Sequence, residues 1–215
     1  MDVPARWTLY GRPGSGSAVC EAILRLTGTP FEIVDFERWP EGEVPAALLA
    51  VNPLGQIPAL VTPDGTALCE SAAISILLAD RRPDTGLAPA PDSAARGPFL
   101  QWMLHLAAGI YGTELRIYYP HRYTTDPAGA EEVKAAANAR LAFEWKVFAD
   151  ALGDRPFMLG ERLSAVDLYA AMLISWADDI DSFFDAFPGL AALYRRVADH
   201  PGVAAVWQRH GMPVA

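Results

Sequence analysis

The sequence predicts an α/β domain built on a mixed four-stranded sheet, followed by an all-α helical bundle. Three observations predict it. Short β-type runs alternate with helical patterns over residues 6–82 in the order β-α-β-α-β-β-α. Residues 93–210 carry helical periodicity alone. Between them runs Pro83-Asp84-Thr85-Gly86-Leu87-Ala88-Pro89-Ala90-Pro91-Asp92, rich in chain breakers and without an apolar period. The expected division is 1–82, a linker at 83–92, and 93–215.

In the first half Trp7 to Tyr10 reads as a strand. A turn follows at Gly11-Arg12-Pro13-Gly14, then a helix from Ser17 to Thr27 with Val19, Ile23, Leu24 and Leu26 on its apolar face and Gly28 as its stop. Phe31 to Phe36 alternates and supplies the second strand. Strand, helix and strand with short connections form a βαβ unit, so these two strands are expected to be parallel. Pro45 to Ala50 is a short helix. Ile57 to Val61 and Thr66 to Cys69 flank the turn signal Pro63-Asp64-Gly65 and form a hairpin. Ser71 to Leu78 resumes helical spacing.

In the second half Phe99 to Tyr119 is apolar on nearly all sides, the pattern of an interior helix. A second long helix runs from Glu131 to Leu152. A third opens at Ser164-Ala165-Val166-Asp167, a capping box in which Ser164 and Asp167 each reach the other's backbone nitrogen, with Leu163 and Leu168 at the staple positions. Leu190 to Ala198 and Gly202 to His210 complete the helices, and no internal repeat is visible.

Composition narrows the function. With 215 residues and 52% apolar content the chain can bury a sizeable core. Its 17 basic and 26 acidic residues give a net charge of −9, the wrong sign for a dedicated nucleic-acid binder. Cys20 and Cys69 form no CxxC motif, and the four histidines (His105, His121, His200, His210) have no ligand spacing, so neither a disulfide scaffold nor a metal site is expected. The segment from Met1 to Arg6 lacks the pattern of a signal peptide. The longest strongly apolar stretch, Leu168 to Ala177, is about half of the ~20 residues of a membrane helix. No membrane partner is expected, and the expected setting is a reducing cytoplasm.

Three places can hold chemistry, and each has a plainer reading. Pro13-Gly14-Ser15-Gly16-Ser17 precedes a helix, where backbone N–H groups favour negative charge and a serine hydroxyl can donate to an anion such as a thiolate. Ser15 or Ser17 can equally serve as a helix cap. In Gln56-Ile57-Pro58 the proline opens a strand. It marks an edge strand by default, or a cis bond that turns the Ile57 backbone toward a peptide-like ligand. At Glu70-Ser71 a carboxylate and a hydroxyl at a helix start can hold an amino-acid head group, or can simply favour the helix dipole.

Taken together and in order, these segments resemble the cytosolic, bacterial-type glutathione transferase family. The matching residues are Leu9-Tyr10 with Pro13-Gly14-Ser15-Gly16-Ser17, then Asn52-Pro53-Leu54-Gly55-Gln56-Ile57-Pro58-Ala59-Leu60, then Leu68-Cys69-Glu70-Ser71-Ala72-Ala73-Ile74, and Ser164-Ala165-Val166-Asp167. The resemblance covers about residues 6–210 and implies a thioredoxin-like first domain, a glutathione transferase fold, and an electrophile pocket between the two halves. It implies that the Ile57 backbone, beside a cis Pro58, pairs with the cysteinyl part of glutathione, and that Glu70 and Ser71 hold its γ-glutamyl group. Gln56 is a further contact, and Arg38, on charge alone, is a partner for the glycine carboxylate.

The chemistry so implied is thiol activation. A free thiol titrates near about 8.5, so little of it is thiolate at neutral pH. A hydroxyl and a helix N-terminus together would lower that value. Ser15 is the expected hydroxyl donor and Ser17 the reserve. Aligning on Pro13-Gly14 sets Gly16 where the bacterial beta class carries a cysteine and favours Ser17, whereas aligning on the helix favours Ser15. Without that cysteine, mixed-disulfide chemistry at position 16 is lost. Cys20 and Cys69 read as small apolar residues. Tyr111 and Met103 are expected in the electrophile pocket, although most residues of their helix must be core. Glutathione peroxidase, isomerase or dehalogenase chemistry would use the same thiolate. A non-catalytic binding module is the third reading, which the intact Ile57-Pro58 and Glu70-Ser71 sites disfavour. The family also implies a homodimer and a role in detoxification.

Overall fold

The computed structural model describes residues 6–213. The Met1 to Arg6 segment read against a signal-peptide pattern lies outside the described residues except for Arg6. The first half contains β1 (Trp7–Gly11), α1 (Ser17–Leu26), β2 (Phe31–Asp35), α2 (Ala46–Leu49), β3 (Ala59–Val61), β4 (Ala67–Cys69) and α3 (Ser71–Asp80). These form one four-stranded sheet in the order β2-β1-β3-β4. β1 and β2 are parallel, as a βαβ unit requires, and β3 is antiparallel to both β1 and β4. β3 is thus an interior strand. Pro58 lies just before it behind a cis Ile57–Pro58 bond, so the edge-strand expectation for this proline is overturned.

The second half contains α4 (Arg96–Leu104), α5 (Gly112–Tyr118), α6 (Ala130–Leu152), α7 (Ala165–Ile174), α8 (Ile180–Ala186), α9 (Pro188–Ala198) and α10 (Pro201–Arg209). The continuous helix expected over Phe99 to Tyr119 is broken between α4 and α5 by a π-helical stretch, His105–Tyr111. Nor is it the fully interior helix, because Leu104 is 59% exposed. That place belongs to α7, in which every residue from Ala165 to Ile174 is buried. Its run of Leu, Met, Ile and Ala leaves no polar face except Asp167, so burial on all sides is its stable solution. Each large side chain so buried contributes about 1.5–3 kcal/mol. No helix among the described residues is long and apolar enough to cross a membrane.

The capping box holds α7 in place. Asp167 accepts the Ser164 N–H at 2.8 Å and the Ser164 hydroxyl at 2.7 Å, and its other oxygen accepts the Met158 N–H at 2.7 Å. α8 was not expected from the pattern. Asp179 starts it by accepting the Ser182 amide at 3.0 Å. One apolar core runs through both halves, from Leu9, Val19 and Ile23 to Phe99, Leu168 and Trp207. α1 lies at its centre, against β1, α3, α7 and α10, and is buried from Ser17 through Leu24.

Candidate active site

Strand register assembles the site. Tyr10 pairs with Ala59, and Ala59 pairs with Cys69. One residue further along each strand, Gly11, Pro58 and Glu70 stand in a row at one end of the sheet. Three segments far apart in the chain, the loop after β1, the Ile57-Pro58 turn and the head of α3, therefore meet at that end.

The loop carries both serines. Gly14 takes a φ of +71°, a turn conformation that suits glycine. Ser15 donates to the Arg12 carbonyl at 2.7 Å, and the Ser15 and Ser17 hydroxyl oxygens lie 2.9 Å apart. Ser17 also reaches the Arg12 carbonyl, at 3.1 Å, and accepts the Arg12 amide at 3.2 Å. Ser15 accepts the Ser17 amide at 3.3 Å, but the N-cap of α1 is Gly16, so neither serine occupies the cap position. A hydroxyl has one proton, and the two serines compete for one carbonyl. When Ser17 serves Arg12, the Ser15 proton is free. Ser17 is 1% exposed and Ser15 7%, so Ser15 is the one nearer the surface. Among the described residues, the amides of Ser15 and Gly16 have no protein acceptor.

Residues outside the predicted set brace the site. His210, at the end of α10, accepts the Gly14 amide on Nδ1 at 3.2 Å. Its Nε2 lies 3.0 Å from Glu21 Oε2. Arg209 also binds Glu21, at 2.6 Å. Burial pushes the Glu21 carboxyl up, but the hydrogen bonds of His210 and Arg209 and the guanidinium charge outweigh it and hold it at about 2. Asn52 binds the Gln56 carbonyl at 2.7 Å and fixes the turn before Ile57. Ile57 itself has no backbone partner among the described residues. Glu41 binds His121 at 3.0 Å and Arg122 at 2.8 Å, joining the segment after β2 to the helical half. The Gly14–His210, Glu21–His210, Glu21–Arg209 and Glu41–Arg122 contacts join residues remote in sequence, so no local pattern marks them.

Glu70 is exposed and sits at φ +68°, the one non-glycine residue with positive φ among those described. Such a conformation in a non-glycine residue is uncommon and concentrates at ligand-binding sites. Ser71 is buried, and its hydroxyl lies 2.6 Å from that of Tyr169 on α7. That hydroxyl serves the contact between the halves. Arg38 and Gln56 are exposed.

Burial pushes the Cys20 thiol up to about 12, and burial together with the Glu70 charge raises Cys69, so neither is an activated nucleophile. Met103, expected in the pocket, has no exposed surface and belongs to the core. Its position on α4 faces inward, where burial of its apolar side chain is favoured. Tyr111 is half-buried, with its ring 5.0 Å from Trp176 and edge-on to it.

Comparison with known proteins agrees with this geometry. The family model for the glutathione S-transferase N-terminal domain matches residues 17–81, and that for the C-terminal domain matches residues 115–210. The uncharacterized GST-like protein YncG of Escherichia coli (strain K12) is 30% identical over 203 residues, covering 94% of this chain and 97% of that protein. The chain belongs to the glutathione S-transferase family. Glutathione S-transferase GstA of Escherichia coli O157:H7 is likewise 30% identical, over 95% of this chain and 98% of its own. A sphingomonad glutathione S-transferase solved with glutathione superposes with a TM-score of 0.80 at 29% identity, over 96% of this chain and 100% of that one. The two matches correspond to the α/β half and the helical half in that order.

Proposed function

We propose that the protein conjugates glutathione to small apolar electrophiles. The α/β half would hold the tripeptide, the helical half would wall the electrophile pocket, and the boundary would fall within 83–92. In this reading the Ile57 backbone pairs with the cysteinyl unit. Glu70 takes the γ-glutamyl amine, and the α3 N-terminus at Ser71 takes the carboxylate. Gln56 and the exposed Arg38 are within the segments that frame the tripeptide, with Arg38 set for the glycine carboxylate. Ser15 donates to the sulfur, aided by the amides at the head of α1, and the thiol proton leaves to solvent. Glutathione then supplies the nucleophile and the protein supplies oriented dipoles.

The observation that carries this reading is the shared Arg12 carbonyl. Ser17, 3.1 Å from it, can keep it satisfied while Ser15 turns its proton outward. Ser17 is thereby a positioning residue. The known electrophile-directed alternatives, peroxide reduction, isomerisation and dehalogenation, would draw on the same thiolate. Gly16 offers no thiol for a mixed disulfide, and Cys20 lies buried, which favours conjugation. The free thiols Cys20 and Cys69 fit a reducing cytoplasm, where removal of reactive electrophiles is the expected service. The homodimer that the family resemblance implies is part of the same reading.

Ser15→Ala is expected to cut turnover of a chromogenic aryl halide at least about tenfold and to raise the pKa of bound glutathione. Unchanged rates in Ser15→Ala with a loss in Ser17→Ala would move the role to Ser17. Absence of glutathione binding by calorimetry would return the protein to the non-catalytic class.

A further inference from the structure

The phenol of Tyr111 occupies the volume that a side chain at position 16 would fill. A methyl carbon built on Gly16 would stand 2.8 Å from Tyr111 Oη and 3.2 and 3.4 Å from two carbons of its ring. The first of these is closer than real side-chain carbons approach. Any residue but glycine at the head of α1 would therefore have to push the phenol aside. Tyr111 comes from the helical half, at the end of the π-helical stretch, and Gly16 is the N-cap residue immediately before α1. Tertiary packing alone brings them together.

The phenol oxygen has no hydrogen-bond partner within the described residues. Edge-on contact with Trp176 fixes the ring. Burial raises the phenol well above its ordinary titration range, so the proton stays on the oxygen. An available donor is thus held over the N-cap of α1, where unpaired amides already favour negative charge.

We propose that Tyr111 is a second sulfur-activating donor, its hydroxyl delivered across the domain boundary to the thiolate in place of a side chain at position 16. This rests on the reading that glutathione is the substrate. The thiol proton leaves to solvent, the phenol keeps its own, and the thiolate accepts hydrogen bonds from Ser15 on one side and Tyr111 on the other. Gly16 is then part of the device, because it makes room for the phenol. Tyr111 differs here from a residue that assists a departing group on the electrophile, since its effect precedes electrophile binding.

The test is titration of the glutathione thiolate absorbance near 240 nm on the full-length protein, with no electrophile present, beside pH profiles of kcat/KM for two aryl halides with different leaving groups. Tyr111→Phe is expected to raise the bound thiol's pKa by about one pH unit, and to lower kcat/KM about tenfold at acidic pH for both halides. Gly16→Ala is expected to produce the same shift by displacing the phenol. The double variant Gly16→Ala/Tyr111→Phe should be no worse than Tyr111→Phe alone. Gly16→Ser in the Tyr111→Phe background should recover part of the shift, since it restores a hydroxyl to the vacated space. An unchanged thiol pKa in Tyr111→Phe, with rate losses that track the leaving group, would overturn the proposal and assign the phenol to the electrophile. Calorimetry on the unaltered protein separates the two levels of inference. If glutathione binds there and Tyr111→Phe leaves the thiol pKa in place, only this proposal falls. If glutathione does not bind, the substrate reading falls and this proposal with it.

Discussion

His210 Nδ1 accepts the amide proton of Gly14 at 3.2 Å, tying the last helix to the loop between β1 and α1. Accepting on Nδ1 places the ring proton on Nε2, which then donates to Glu21 Oε2 at 3.0 Å. The loop that carries Ser15 and Ser17 is thus held by a residue nearly two hundred positions away. Both the imidazole and the carboxylate are buried, so removal of either leaves a polar group without its partner.

His210→Ala is expected to destabilise the protein by about 2 kcal/mol, because the Gly14 amide and Glu21 each lose a partner. For a chain of this size that lowers Tm by about 4–8 °C. Conjugation with an aryl halide should fall as well, through the loosened loop. Thermal melts and rates equal to those of the unaltered protein would refute the brace.

Glu114 predicts a pH effect on the alkaline side. It is buried on α5 with Oε2 unpartnered among the described residues, and burial, reinforced by the Asp178 charge, pushes its carboxyl up to about 8. Unfolded, the group ionises at its ordinary 4.5. Between those values the folded chain holds a proton that the unfolded chain has released, so stability falls as pH rises from 4.5 through about 8 and is level outside that window. Glu114→Gln cannot ionise. Its urea midpoint should exceed that of the unaltered protein at pH 8 by more than at pH 5, by up to about 4 kcal/mol in free energy. Parallel curves would show that the carboxyl titrates normally.

Asp167 gathers three donors at 2.7–2.8 Å in the core. Asp167→Ala would strand the Ser164 and Met158 amides and is expected to cost about 3 kcal/mol. Ser164→Ala leaves the carboxylate two amide donors and should cost about 1 kcal/mol. Denaturant titration of both variants checks the ranking, and a Ser164→Ala loss equal to that of Asp167→Ala would contradict it.

Local signals were legible in proportion to how local their physics is. The first βαβ unit was readable because alternation and a glycine stop act within a few residues, and its parallel pairing followed from connection geometry. Ser164 and Asp167 were readable because a capping box needs no distant partner. α8 escaped because its seven residues, led by Asp179, show little apolar period and are held by packing of Phe183 against Trp145. The π-helical break at His105 escaped because periodicity in a run so uniformly apolar does not distinguish one helical pitch from another. At the candidate site, Ser15, Ile57 and Glu70 stand out through motifs, whereas His210 and Tyr169 reach it by long-range contacts that no spacing records.

By itself the sequence determined most of the order of elements and the succession of an α/β half by a helical half, and it singled out the segments the proposed function assigns to glutathione. Those depend on patterns repeated along neighbouring residues, where propensity, capping and turn chemistry act. Only the tertiary structure decided that α7 rather than the Phe99 helix is buried on every side, that Ser17 shares a carbonyl with Ser15, and that the Tyr111 phenol stands over Gly16. Each of these is a competition for volume or for one hydrogen-bond acceptor between residues remote in the chain or folded back on one another. Such competitions are settled by packing in three dimensions.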